Sequence, residues 1–363
     1  MKNKLFFLII LFSVSMFSQD YKVLPLNSTL LNKRVNINKY DKDYKKYLKT
    51  AYYAEKRLPE NFVKDGTVDY TKNIQDAINE NEIVVLPNFP VLVNIKGLKL
   101  KDNSVLLFQA KSKIIIEPNN LTNYEILNLN GVKNVKVYFP NIMGDKYKHL
   151  ASTGEWGFGI SIRGAKDVLI IEPKVYETWG DGIYIGKLGN ECSERINVVN
   201  ALINDVRRNG ISITCGTDIN ILSPVLSNTN GNNPKSGLDI EPNTNDDIIE
   251  NINIVNPVTF NNEWSGILVV LQGLEGDINK KVNINIENHT DIKSKNAFSL
   301  QGLVQNKHKN FILEGNIRIN QTSYLKSKNE FYFYTSNLSG LRMESSNKTI
   351  SDKIDSYKKN IKK

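Results

Sequence analysis

The sequence predicts an all-β fold, a right-handed parallel β-helix (solenoid), from three observations. Glycine-led strands of alternating apolar residues recur along the chain, their period lies in the twenties, and asparagine is concentrated in and between them. The leading units are "FGISIRG", "DGIYIG", "NGISIT", "SGLDIEP" and "SGILVV". Their glycines, Gly159, Gly182, Gly210, Gly237 and Gly266, are spaced by 23, 28, 27 and 29 residues. A second unit interleaves with the first: "KNVKVYFPNI", "KDVLIIEPKV", "RINVVNALI", "DINILSPVL" and "NINIVNPVTF". Each period therefore holds two or three short strands. Alternation places successive side chains on opposite faces of a strand and excludes helical repeats. A propeller blade needs about 40–45 residues, and the leucine-rich consensus is absent. A solenoid remains, in which each period is one coil and equivalent strands stack about 4.8 Å apart. Asparagines in the turns would then ladder their amides from coil to coil.

The elements follow in order. Residues 1–19, "MKNKLFFLIILFSVSMFSQ", carry lysines before an apolar run from Leu5 to Leu11. This is a signal-peptide pattern with cleavage expected near Ser18 or Gln19, and the run is too short to span a bilayer. The expected product is exported, periplasmic or extracellular, with no membrane span. Residues 20–60 form a basic, tyrosine-rich N-terminal extension, short helical or extended. The β-helix domain is placed at 61–345. Near its start Ile74, Ala77 and Ile78 make one helical stripe, the signature of an N-terminal capping helix over the open end of a solenoid. Strands are expected to continue through 311–321, 330–336 and 340–345. Residues 346–363 are a lysine-rich C-terminal tail in which Ile350, Ile354 and Tyr357 fall at helical spacing, so a short helix is expected.

Of 363 residues, 40% are hydrophobic and 23% charged, a globular composition with enough chain for a large core. The net charge of +9 attracts anionic chains, and its spread along the sequence makes a general field rather than one patch. No phosphate-binding loop or nucleic-acid module is visible, so nucleic acid is not an expected partner. His149, His289 and His308 show no metal-binding spacing, and His149 is expected at the surface. Export permits one bridge between Cys192 and Cys215, and two free thiols fit as well. The sequence does not encode an oligomeric state.

"GTVDYTKNIQDAIN…IVVLP", "GEWGFGISIRGAKDVLIIEP", "WGDGIYIG" and "GLDIEPN" resemble the pectate-lyase-like right-handed parallel β-helix superfamily, over about residues 61–325. The resemblance implies a polysaccharide lyase, a polygalacturonase-type hydrolase, an epimerase or a tailspike depolymerase, since one superfold hosts several chemistries. "GDGIYI" is similar to the polygalacturonase strand N-T-D-G-I-D-I, with Asp181 at the first aspartate of that motif. Tyr184 stands where the motif has its second aspartate. The family's Asp-Asp, Gly-His-Gly and Arg-Ile-Lys elements have no counterpart here.

Aligning the glycine units puts Ser161, Tyr184, Ser212, Asp239 and Leu268 in one outward column. Arg163, Gly186, Thr214, Glu241 and Val270 fall in the next. The turn column holds Phe158, Asp181, Asn209, Ser236 and Ser265. Acids are scarce in these columns, so Asp181, Asp239 and Glu241 are the candidate acid, base and modulator of a glycoside hydrolase acting on an acidic polysaccharide. Glu155, Trp156, Arg163, Trp179, Tyr184, Arg207, Arg208, Lys235 and Asn243 are the candidate substrate contacts, with the indoles offered to sugar faces. No cofactor is expected for hydrolysis. The alternative is a lyase eliminating across a uronate. Asp239 and Glu241 would then hold Ca²⁺, and Arg207, Arg208, Lys235 or Tyr184 would neutralise charge or take the proton. A further alternative is a non-catalytic glycan-binding or surface scaffold.

Overall fold

The computed structural model describes residues 21–303, 308, 310–335 and 340–361; the leader expected at 1–19 lies outside them. Three parallel sheets of 11, 9 and 9 strands run the length of a solenoid of about nine coils. Each coil contributes one strand to each sheet in turn, here called sheets A, B and C. Sheet A runs from Tyr52–Tyr53 to Gly340–Ser345, sheet B from Pro90–Val93 to Ser323–Leu325, and sheet C from Leu98–Lys99 to Asn329–Tyr334. The pairing therefore begins inside the stretch expected to be an extension. Helix α1 (Asn38–Leu48) lies before it. Helix α2 (Thr71–Glu80) buries Ile74, Ala77 and Ile78 on the first coils, and helix α3 (Lys348–Ile361) turns the expected tail into a cap that buries Ile350 and Ile354. Asn347 caps α3 by accepting the Ile350 N–H at 3.1 Å.

Alternation fills the core with stacked columns of aliphatic side chains. In sheet A, Val168, Ile196, Ile219 and Ile252 lie in register and are fully buried. Each such side chain contributes about 1.5–3 kcal/mol. The glycines of the repeat mark a contact too close for a side chain: a Cβ on Gly210 would stand 2.4 Å from the carbonyl oxygen of Gly237. The corner between sheets A and B is one left-handed residue, φ 54° at Asn200, 50° at Ser223, 54° at Asn256 and 56° at Asn288. Asparagine adopts that region more readily than most residues. Its amides ladder as the sequence suggests, Asn288 Nδ2 donating to Asn256 Oδ1 at 2.8 Å and Asn256 Nδ2 to Ser223 Oγ at 3.3 Å.

Residues 21–37 form a strap along the outside. Leu24, Leu30 and Leu31 cover Leu202, Val225, Val258 and Phe260 of sheet B. Tyr44, Tyr47 and Leu48 of α1 pack over Leu107, Tyr138 and Ile171 of sheet A. Cys192 and Cys215, left open by the sequence, are joined in a disulfide with a Cα–Cα distance of 5.2 Å.

The inward column of sheet B changes character. Ile142, Val175, Ile203 and Leu226 give way to Thr259, Asp291 and Tyr324. Asp291 is fully buried and accepts from Thr259 Oγ1 at 2.6 Å, Ser294 N at 3.2 Å and Ser327 Oγ. Burial outweighs these bonds and pushes its carboxyl up to about 6 from an ordinary 3.8. The fully buried His289, against Thr259, is held neutral by burial, its pKa lowered to about 3. A raised carboxyl binds its proton more tightly in the native state than in the unfolded chain. Its contribution is therefore full below pH 3.8 and declines as pH rises through 6, by about 3 kcal/mol in all. Asp291→Asn is expected to raise the denaturation midpoint at pH 7.5 and to flatten its fall between pH 4 and 6.5. A variant with the wild-type slope would remove Asp291 as the cause.

Candidate functional site

Five strands of sheet C carry the site: β1 (Trp156–Arg163), β2 (Ile183–Gly186), β3 (Ile211–Ile213), β4 (Leu238–Ile240) and β5 (Ser265–Val270). Ser161, Tyr184, Ser212, Asp239 and Leu268 are direct register partners. Leu238 and Ile240 enter the core, so Asp239 points outward, yet it is fully buried. Side chains from the neighbouring turn cover it. Asn209, in the turn before β3, donates from Nδ2 to Asp239 Oδ2 at 2.9 Å and from its backbone N to Asp181 Oδ1 at 3.0 Å. One buried residue thus ties two carboxyls that lie two coils apart. The sequence placed Asn209 in the right column without marking it as functional, because an asparagine in a turn is the commonest residue of this repeat.

Arg208 is the hub. Its Nη1 donates to Asp181 Oδ2 at 2.9 Å, its Nε lies 3.9 Å from Glu155 Oε2, and its Nη2 lies 4.0 Å from Glu241 Oε2. Only 14% of its side chain is exposed, against 49% for Glu155 and 36% for Glu241. Burial opposes the guanidinium charge, but the carboxylates of Asp181, Asp239, Glu241 and Glu155 outweigh it and raise its pKa further. Asp181 is fully buried, and burial raises its carboxyl despite Arg208, Ser212 and the Asn209 N–H.

Asp239 is raised well above its ordinary value, first by burial and then by the charge of Glu241, with Arg208 opposing. Asp239 Oδ1 has no donor in reach. A proton on that oxygen makes it a donor, and Glu241 is the acceptor. Two acids sharing a site cannot both ionise freely, and burial puts the greater penalty on the charge of Asp239.

The other sequence candidates separate. Tyr184 stacks on Phe158 with centroids 4.5 Å apart and accepts from Thr214 Oγ1 at 3.0 Å; burial raises its phenol. Asn243 is exposed and hydrogen-bonds Tyr184. Trp156 is 50% exposed beside Glu155. Trp179 is 7% exposed and closed off, with His149 stacked 3.9 Å away and the Arg207 guanidinium 3.7 Å from its ring centre. Arg207 also donates to Gly154 O at 2.6 Å, so these two pack the turn that delivers Glu155 and Trp156. The His149 side chain is buried rather than at the surface, with its Nδ1 2.8 Å from Asp145 Oδ2. Arg163 pairs with Glu125, and Lys235 with Glu263, both outside the Arg208 cluster. Trp264 was overlooked in the sequence. It lines a cavity of about 290 Å³ that reaches Glu241. Its signal is a second Glu-Trp pair, Glu263-Trp264, echoing Glu155-Trp156.

Ca²⁺ takes six to eight oxygen ligands. The Asp239 and Glu241 pair fits that demand poorly, because Arg208 already stands against Glu241 and Asp239 is fully buried, which leaves little room for further oxygen ligands.

No protein-family model matches the sequence. Two Bacillus subtilis (strain 168) proteins are similar over part of it. The uncharacterized protein YclG is 30% identical over 161 residues, 40% of this chain and 27% of that protein. The SPbeta prophage-derived uncharacterized protein YorA is 33% identical over 100 residues, 26% of this chain and 17% of that protein. The aligned stretches thus span less than a third of either relative. Among solved structures, the tailspike protein gp49 of Acinetobacter baumannii bacteriophage Fri1, a capsular polysaccharide depolymerase, superposes with a TM-score of 0.53 at 14% identity over 80% of this chain and 58% of that one. The A-module of the mannuronan C-5 epimerase AlgE4 of Azotobacter vinelandii gives 0.49 at 14% identity over 82% and 97%. At these identities the likeness is one of fold.

Proposed function

We propose that this chain, a pectate-lyase-like parallel β-helix, hydrolyses glycosidic bonds of a polysaccharide along the outer face of sheet C. One observation carries the reading: Glu155 and Glu241, both open to water, flank the same buried guanidinium, and a buried acid stands behind Glu241. The two contacts to Arg208 and the width of a guanidinium limit the carboxyl separation to about 10 Å, which accommodates the 6.5–9.5 Å range suited to inversion. Glu241 protonates the leaving oxygen as the glycosidic C–O bond breaks, drawing on the proton it shares with Asp239. Glu155 takes a proton from the water that attacks the sugar carbon. Arg208, anchored by Asp181, holds both carboxylates and balances Asp239 when the proton leaves. Elimination finds less support, because Arg208 is already surrounded by acids and has little surface left for a uronate carboxylate. The positive net charge favours an anionic chain as substrate.

The experiment is a panel of acidic and neutral polysaccharides, followed both for reducing ends and for absorbance near ~235 nm, where a C=C bond conjugated with the carboxylate absorbs. Reducing ends without absorbance are expected. Both signals rising together would replace hydrolysis with elimination, and binding without either would leave a scaffold.

A further inference from the structure

One coil past Glu241 the outer face of sheet C changes chemistry. Where β4 presents Asp239, β5 presents its register partner Leu268, and Val270 follows two residues on. These two side chains line the cavity of about 290 Å³, with Trp264 beside them and the amides of Asn233 and Gln301 also in its lining. An apolar surface, an indole and a few amides suit a pyranose, whose C–H face is apolar and whose rim is hydroxyl. Tyr332 meets the Trp264 ring edge-on with centroids 5.7 Å apart, which helps hold the indole in place.

A cation completes the set. Lys295 Nζ lies 4.1 Å from the centre of the Trp264 ring, and among the described residues it forms no ion pair. The neighbouring Lys235, by contrast, is neutralised by Glu263. Lys295 lies against the indole beside the cavity rather than in its lining, so an anion it meets would stand at the rim of the bound ring. The two Glu-Trp pairs, at 155–156 and 263–264, stand four coils apart, about 19 Å along the axis, the first within the Arg208 cluster and the second beyond Glu241.

We infer that Trp264, Lys295, Asn233 and Gln301 form a specificity subsite for a sugar ring bearing a carboxylate or sulfate, on the C-terminal side of Glu241. The subsite rests on the reading of Glu241 as the group that meets the scissile bond. It fixes where an anionic residue lies relative to that bond.

The test measures binding and steady-state kinetics with oligouronate, sulfated and neutral oligosaccharides of one length. Binding is measured on the full-length Glu241→Gln protein, which spares the ligand. Trp264→Ala is expected to weaken binding of the anionic oligosaccharides at least about tenfold, and in the active enzyme to raise KM with little change in kcat. Trp264→Phe, which keeps an aromatic wall, should recover most of the loss. Lys295→Gln is expected to weaken the carboxylated or the sulfated ligand about tenfold and the neutral one hardly at all; whichever falls identifies the anion. Parent-like binding in both Trp264→Ala and Lys295→Gln, equal loss of neutral and anionic ligands in Lys295→Gln, or no oligosaccharide binding by the parent, overturns the subsite. Binding that depends on Trp264 without any glycan cleaved would retain the subsite and sink hydrolysis. Cleavage with unaltered KM in both variants would do the reverse.

Discussion

Glu241→Gln should lower kcat about a thousandfold on the cleaved polysaccharide, within the range for losing a positioned acid or base. The amide keeps the size of the side chain and its place at the cavity, so KM should change little. Asp239→Asn is the informative companion. The amide still donates toward Glu241 and accepts from Asn209, but it stores no proton. A loss of about a hundredfold is expected, with the alkaline limb of the pH profile moved to lower pH because Glu241 must now hold a proton alone. The folded protein should not be weakened, since a buried ionisable group is replaced by a neutral one of the same shape. Wild-type turnover in Asp239→Asn would remove it from the reaction and leave Glu241 acting alone. The measurement is kcat and KM across pH, with a denaturation midpoint for each variant.

Arg208→Met should destabilise the protein by about 3–5 kcal/mol, the cost of removing one partner from a buried charge pair. Asp181 is fully buried and loses its only cationic contact among the described residues, while Asp239 and Glu241 lose the charge that offsets them. Losing Arg208 raises the Asp181 carboxyl further, so the variant should regain more stability than the wild type as pH falls. The double variant Arg208→Met with Asp181→Asn should recover most of the stability and little of the activity. That split separates holding the fold from holding the carboxylates. A single variant with an unchanged denaturation midpoint would show that the network contributes nothing to stability.

The strand columns were legible because the repeat fixes them. Ser161, Tyr184, Ser212, Asp239 and Leu268 read out of the glycine spacing are the partners found in sheet C. Alternation says which face a side chain takes; it does not say how much water remains there. Asp239 faces outward and is dry because Asn209 and Arg208 come over it from the turn before β3, and the period that places those residues does not say where their side chains reach. The same gap applies to the tryptophans. Trp179 and Trp264 both precede glycine units, but His149 and Arg207 close over the first, while the second lines a cavity. His149 arrives from a loop whose path no local pattern sets. The interior polar column at Thr259, Asp291 and Tyr324 was hidden for another reason: "VTF", "TDI" and "SYL" read as short polar strands with no indication of facing inward.

The strap has a consequence for how the molecule assembles. A solenoid is ordinarily a one-dimensional chain of nearest-neighbour couplings, free to fray from its ends and to fold from any nucleus. Here Leu24 bonds Asn228, Val35 bonds Asn200 and Lys33 bonds Asn288, across sequence separations of 204, 165 and 255 residues. Such contacts carry a large loop-closure cost and form late. Val35 therefore cannot dock until the coil bearing Asn200 exists, and the strap is not fully seated until the coil bearing Asn288 does. Once docked, it makes the loss of any single coil between residues 200 and 288 a loss shared by the rest. The strap converts a stack that could unwind stepwise into one that opens as a unit.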